Sequence, residues 1–160
     1  MQKIQKQCII WRMKKNQEKK KIIGFTCGAF DLTHAGHYLM FKECKQNCDY
    51  LIVGLQIDPS VDRPEKNKPV QTLKERKIQL EACKYIDEII VYNTEISLYN
   101  LLKKLKPDFR IMGVDWKDKS NYSRDMLPNI KVIYNTRDHN YSSNNLRKRI
   151  IKAGLKNIPH

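Results

Sequence analysis

Two histidines three residues apart, His34 and His37, close the run Gly28-Ala29-Phe30-Asp31-Leu32-Thr33-His34-Ala35-Gly36-His37. On a helix this spacing turns both imidazoles toward one point beside the N-terminus. That end of a helix offers unpaired backbone N–H groups and the positive end of the dipole, a natural seat for phosphate. Gly28 is expected to permit a tight turn, and Gly36 to let backbone approach a ligand closely. Imidazole donors aimed at phosphate oxygens would stabilise the crowded state of a displacement at phosphorus more than its ground state. An acceptor that already carries a phosphate oxygen needs no covalent intermediate, so alignment and charge neutralisation are the remaining tasks. Six specified positions in ten residues arise by chance on the order of once in a million chains of this length, which sets aside incidental helix-cap histidines.

These residues need a strand before them and a helix after. Ile22 to Thr26 reads as a buried strand, and Ala35 to about Cys48 has helical periodicity. Tyr50 to Leu55 is a second apolar strand, followed by a loop over 58–70 punctuated by Pro59, Pro64 and Pro69. Thr72, with Glu75 three residues on, forms a capping box for a helix reaching about Tyr85. Glu88–Val91 is a short strand, Glu95–Lys106 an amphipathic helix stopped by Pro107, and Phe109–Met112 a strand ending at Gly113. Ile130–Tyr134 is the last strand, and Ser142 or Ser143 caps a final basic helix. Strand–helix alternation with short connections implies a single α/β domain, a doubly wound parallel sheet with helices on both faces. Ligands of such sheets sit at the carboxyl ends of the strands where their order reverses.

The 160 residues suit one domain. The expected division is a basic, flexible extension over 1–20, the domain over 21–154 and a tail over 155–160, with Met13 an alternative start. The net charge is +14, and residues 1–21 hold eight basic residues against Glu18 alone. A solvated tail is preferred over a nucleic-acid surface, because aromatics are not interleaved with the basic run. Basicity also suits an enzyme with two anionic substrates. No apolar run reaches a membrane span and no signal-type segment opens the chain, so cytoplasm is expected. The odd count of five cysteines argues against a disulfide framework, and Cys44 and Cys48, though at ligand-compatible spacing, read as small buried hydrophobes because nothing completes a zinc site.

The run G-x-F-D-x-x-H-x-G-H resembles the hallmark of the cytidylyltransferase-like nucleotidyltransferases, over about Ile22 to Ile150. The chain looks most like bacterial glycerol-3-phosphate cytidylyltransferases. It is also similar to heptose-phosphate adenylyltransferases in Asp58-Pro59-Ser60-Val61 and Pro69-Val70. The resemblance implies a Rossmann-like fold, Mg²⁺ accompanying the triphosphate, a homodimer and a place in cell-surface polysaccharide synthesis. It gives catalytic roles to His34, His37, Arg137 and Lys68. Cys27, Gly28, Ala29, Phe30, Asp31, Gly36, Gly113, Asp115, Trp116, Arg137, Tyr141, Ser142 and Ser143 would hold nucleotide. Lys66, Lys68 and Arg76 would hold the acceptor phosphate, and no protein metal ligand is assigned. Taken alone, Arg76 could equally be a surface helix cation, and Asp31 could serve the turn by accepting backbone N–H bonds. The family's R-T-E-G-x-S-T-T is here Arg137-Asp138-His139-Asn140-Tyr141-Ser142-Ser143-Asn144, and Lys84 stands where the glycerol-phosphate enzymes carry arginine. CTP with a polyol phosphate is the leading expectation and ATP with a sugar phosphate its alternative. A nucleic-acid-binding protein acting through residues 1–21 is the reading from another class.

Overall fold

In the computed structural model, residues 20–154 are described. The expectations for the basic extension and for the tail lie outside them, apart from Lys20, which pairs with Asp108 at 2.9 Å. Five strands form one sheet: β1 (Ile23–Gly28), β2 (Tyr50–Gln56), β3 (Glu88–Tyr92), β4 (Phe109–Met112) and β5 (Lys131–Tyr134). Their order is β3-β2-β1-β4-β5 and every pairing is parallel. The order reverses between β1 and β4, where Gly24 lies opposite Phe109 and Phe25 opposite Arg110. The crevice for a ligand therefore opens at the carboxyl ends of these two strands.

Side-chain alternation along the strands feeds two cores. On one face Leu51, Val53, Leu55 and Ile111 pack with Phe41 of α1 (Ala35–Gln46) and Leu80 of α2 (Leu73–Glu81). On the other, Phe25, Ile52 and Tyr92 meet Leu98 and Leu102 of α3 (Glu95–Leu105). A sheet buried on both faces is why the strands read as near-continuous apolar runs. Two short elements escaped the sequence pattern: a 3₁₀ turn at Val114–Trp116 and α4 at Tyr122–Asp125. Four residues are too few to show a helical period. The last helix, α5, spans Ser143–Gly154, and Ser142 Oγ accepts from Asn145 N at 3.2 Å as its cap.

Thr72 and Glu75 form the expected capping box of α2. That helix stops at Glu81, four residues short of Tyr85, because Cys83 N turns back to Leu80 O and Ile86 N to Cys83 O on the way into β3. Likewise α1 ends at Gln46 with Asn47 as its cap, short of Cys48. Cys44 is buried, and burial first, then neighbouring Cys48 and Glu43, pushes its thiol well up. No helix among the described residues is long and apolar enough to cross a membrane.

Candidate active site

The turn leaving β1 is built from strained backbone. Phe30 and Leu32 both have φ 49°, a left-handed conformation that costs an L-residue roughly 1–2 kcal/mol. The tight turn expected of Gly28 is thus made by Phe30 and Leu32, and no glycine takes positive φ. Contacts from afar hold it. Gln71 Oε1 accepts from Leu32 N at 2.7 Å, while Asp31 Oδ1 accepts from Gln71 N at 2.9 Å. Asp31 Oδ2 pairs with Arg147 of α5. Asp31 is therefore tied into the scaffold on both oxygens, by Gln71 and Arg147 from beyond the turn rather than by N–H groups within it.

His34 is the N-cap of α1. Its Nδ1 accepts from Gly36 N at 3.1 Å, and His37 Nδ1 accepts from His34 N at 3.3 Å, a capping box made of two imidazoles. An Nδ1 that accepts a bond carries no proton, so each neutral ring keeps Nε2–H as its one donor. The rings stack with centroids 4.0 Å apart and planes 27° from parallel. Burial first, then His34 and Arg137, pushes His37 down to about 3. His34 is also held below the ordinary histidine value, by burial and then by His139, Arg137 and Arg149. Both rings are thus neutral donors at physiological pH. A Cβ on Gly36 would lie 2.7 Å from His139 Cε1 and 3.1 Å from the His34 ring, so any side chain there would displace the His139 ring and crowd His34.

One cleft gathers His34, His37 and Gly36 with Cys27, Gly28, Ala29 and Phe30 from β1 and its turn. Gly113, Asp115 and Arg137 close it from the ends of β4 and β5, and Tyr141, Ser142 and Ser143 from the start of α5. Arg137 also has positive φ, 50°, and its guanidinium rests on Asp115 at 2.6 Å. Three lining residues were not among the expected site residues: Met40, Asn135 and His139. Asn135 is buried, and its Oδ1 accepts from Val114 N at 3.2 Å. His139 and Tyr141 present tilted rings 5.1 Å apart.

Five expected residues are not among those lining this cleft: Asp31, Lys66, Lys68, Arg76 and Trp116. Trp116 lines a second, adjoining cavity, where Lys66 lies 5.2 Å and Arg63 5.8 Å from its ring. Lys68 lines neither the cleft nor that cavity. Arg76, expected at the acceptor phosphate or else on the surface, is 2% exposed. Its guanidinium donates to the carbonyls of Ala29, Gln56, Ile57 and Gln71 at 2.7–3.2 Å. Four backbone acceptors saturate most of its five N–H groups, so it braces the ends of β1 and β2 rather than facing a ligand.

Residues 25–152 match the cytidylyltransferase-like family. The chain is 32% identical over 119 residues to the bifunctional protein HldE of Campylobacter concisus, covering 74% of this chain and 25% of that protein. It is 36% identical over 118 residues to HldE of Campylobacter jejuni serotype O:6, covering 73% and 25%. HldE of Wolinella succinogenes is 34% identical over 134 residues, covering 83% and 26%. The chain thus spans about a quarter of the length of these relatives. Among solved structures, the lipopolysaccharide core biosynthesis protein of Thermoplasma volcanium shares the fold, with a TM-score of 0.61 at 23% identity over 76% of this chain and 99% of that one.

Proposed function

The chain belongs to the cytidylyltransferase-like family and carries a nucleotidyltransferase domain; we propose that this domain transfers the adenylyl group of ATP to the phosphate of a sugar phosphate, releasing pyrophosphate. The observation that carries the reaction class is the stacked pair His34–His37, two neutral Nε2–H donors at the mouth of α1. An acceptor phosphate oxygen attacks the α-phosphorus, the bond to the β-phosphate oxygen breaks, and pyrophosphate leaves with its electron pair. Both imidazoles donate to oxygens on which negative charge grows, and they stay neutral throughout. Arg137 swings from Asp115 onto the phosphates, and the N-terminus of α5 at Ser142 and Ser143 receives the departing pair.

Adenylyl transfer is favoured over the cytidylyl transfer of the leading sequence expectation by three features. The segment Asp58-Pro59-Ser60-Val61 is similar to the heptose-phosphate adenylyltransferases, and the matched relatives are HldE proteins. Where the family pattern has threonine, glutamate and glycine, Asp138, His139 and Asn140 stand here, and the His139 and Tyr141 rings offer a stacking surface for a purine. Mg²⁺ is expected on the triphosphate oxygens, where it would neutralise charge as pyrophosphate departs. The carboxylate lining the cleft, Asp115, is already engaged by Arg137, and Asp31 of the adjoining turn by Arg147, so this chain would supply the ion with little beyond the phosphates themselves.

The test is pyrophosphate release from each of the four nucleoside triphosphates against sugar, polyol and amino-alcohol phosphates. ATP with a sugar phosphate is the expected pair. A preference for CTP with glycerol phosphate would overturn the choice of substrates and keep the reaction class.

A further inference from the structure

Arg110 stands in the middle of β4, between buried Phe109 and buried Ile111, and is itself 2% exposed. Its guanidinium donates to Ser123 Oγ at 3.1 Å and, weakly, to Cys27 Sγ at 3.8 Å, and its Nε has no partner. Among the described residues no carboxylate lies within ion-pair distance of it. A buried, unpaired guanidinium is costly to keep unless something compensates it. Two further buried side-chain atoms lack partners, Arg63 Nε and Glu95 Oε2. All three residues line one cavity, the one that also holds Lys66 and Trp116. That cavity adjoins the histidine cleft, since Cys27, Gly28 and Gly113 belong to the walls of both.

We infer that this second cavity seats the acceptor, with Arg110 holding its phosphate where the two spaces meet at Cys27, and Glu95 and Arg63 holding its hydroxyls. Arg63 and Glu95 pair with each other through Nη2 and Oε1 at 3.5 Å, which leaves Glu95 Oε2 and Arg63 Nε as a matched acceptor and donor, the pair that a polyhydroxylated molecule satisfies and an apolar one does not. A phosphate on Arg110 supplies the missing counter-charge in a bidentate geometry open to guanidinium and closed to ammonium. The assignment rests on the sugar-phosphate reading above and adds the residues that select that substrate.

Its test is pyrophosphate release by the full chain and by Arg110→Met, with acceptor and triphosphate varied separately. The acceptor KM is expected to rise at least about 30-fold, as loss of a buried charge-assisted bond requires, with the triphosphate KM moving less than about 3-fold. The melting temperature should not fall, because the variant removes an unpaired buried charge. An unchanged acceptor KM, or equal rises in both, overturns the assignment and leaves adenylyl transfer standing. If wild type releases pyrophosphate with no pair of substrates, adenylyl transfer falls, and the cavity is then judged with inorganic phosphate alone. A saturable rise in melting temperature that Arg110→Met diminishes supports the site, and an identical response overturns it. Should Arg110→Met not fold, Glu95→Gln replaces it. A raised acceptor KM at constant triphosphate KM supports the site, and an unmoved one overturns it.

Discussion

His34 and His37 aim each other: the ring of His37 is fixed by the backbone N–H of His34 at 3.3 Å, and the two imidazoles lie stacked with centroids 4.0 Å apart. Each ring uses Nδ1 to satisfy an N–H that a helix start would otherwise leave unpaired, so capping and the proposed phosphate donation fall to opposite nitrogens of one side chain. Replacement can separate the two tasks. His34→Ala loses both the cap, worth about 1 kcal/mol, and a phosphate donor, worth on the order of 10²–10³ in kcat. His34→Asn restores an oxygen acceptor for Gly36 N but cannot reach as imidazole does. Its melting temperature should return toward wild type while pyrophosphate release stays low. Recovery of both would show that His34 acts only as a cap.

The same burial that keeps His37 neutral makes stability depend on pH. An unfolded chain protonates this histidine near pH 6.5, whereas the folded one resists until about 3. Between those values the unfolded state holds the extra proton, so stability is complete above pH 6.5 and declines as the pH is lowered, by up to about 1.4 kcal/mol per unit. His34 contributes with the same sign. Urea midpoints between pH 5 and 7.5, a range above most carboxylate titration, should fall toward acid in wild type and flatten in His37→Asn. Equal slopes in the two proteins would refute a buried neutral His37.

Arg76 supplies a test of bracing against binding. Lysine in its place keeps the charge but cannot reach the four carbonyls at once. Buried acceptors left unpaired should cost about 3 kcal/mol, lowering the melting temperature by roughly 6–12 °C. In the fraction that stays folded, the acceptor KM should move less than about 3-fold. A phosphate ligand would show the reverse, an intact melting temperature with a steep rise in KM.

How far the sequence reaches is clear from where its patterns are local. The capping box of Thr72 and Glu75 spans four residues, and the strands Tyr50–Gln56 and Phe109–Met112 are apolar runs, so short windows reveal them. The histidine turn is equally compact. Arg76 was misread because its acceptors Ala29 and Gln56 lie 47 and 20 residues away, on segments that only the folded sheet brings together. The tie between Asp31 and Arg147 spans 116 residues and has no local signature. Arg110 did leave a signal, one arginine inside the buried run Phe109-Arg110-Ile111-Met112, but the residue that steadies it, Ser123, sits on a helix of four residues without a readable period.

In the proposed reaction Arg137 starts from a parked position. Its left-handed backbone projects the guanidinium along the cleft, where it rests on Asp115 at 2.6 Å. Both side chains are more than a third exposed, so water screens the pair and it is worth at most about 1 kcal/mol. In the proposed reaction the triphosphate displaces Asp115 to recruit Arg137, and that displacement subtracts from affinity. Asp115→Asn removes the competitor at nearly constant shape, so the triphosphate KM should fall by up to about 5-fold at low ionic strength. The gain should shrink as salt is added, because the exposed pair it removes is itself screened. A triphosphate KM that rises instead would make Asp115 a contact of the nucleotide, and its pairing with Arg137 would then be a way of holding both groups ready for the same ligand.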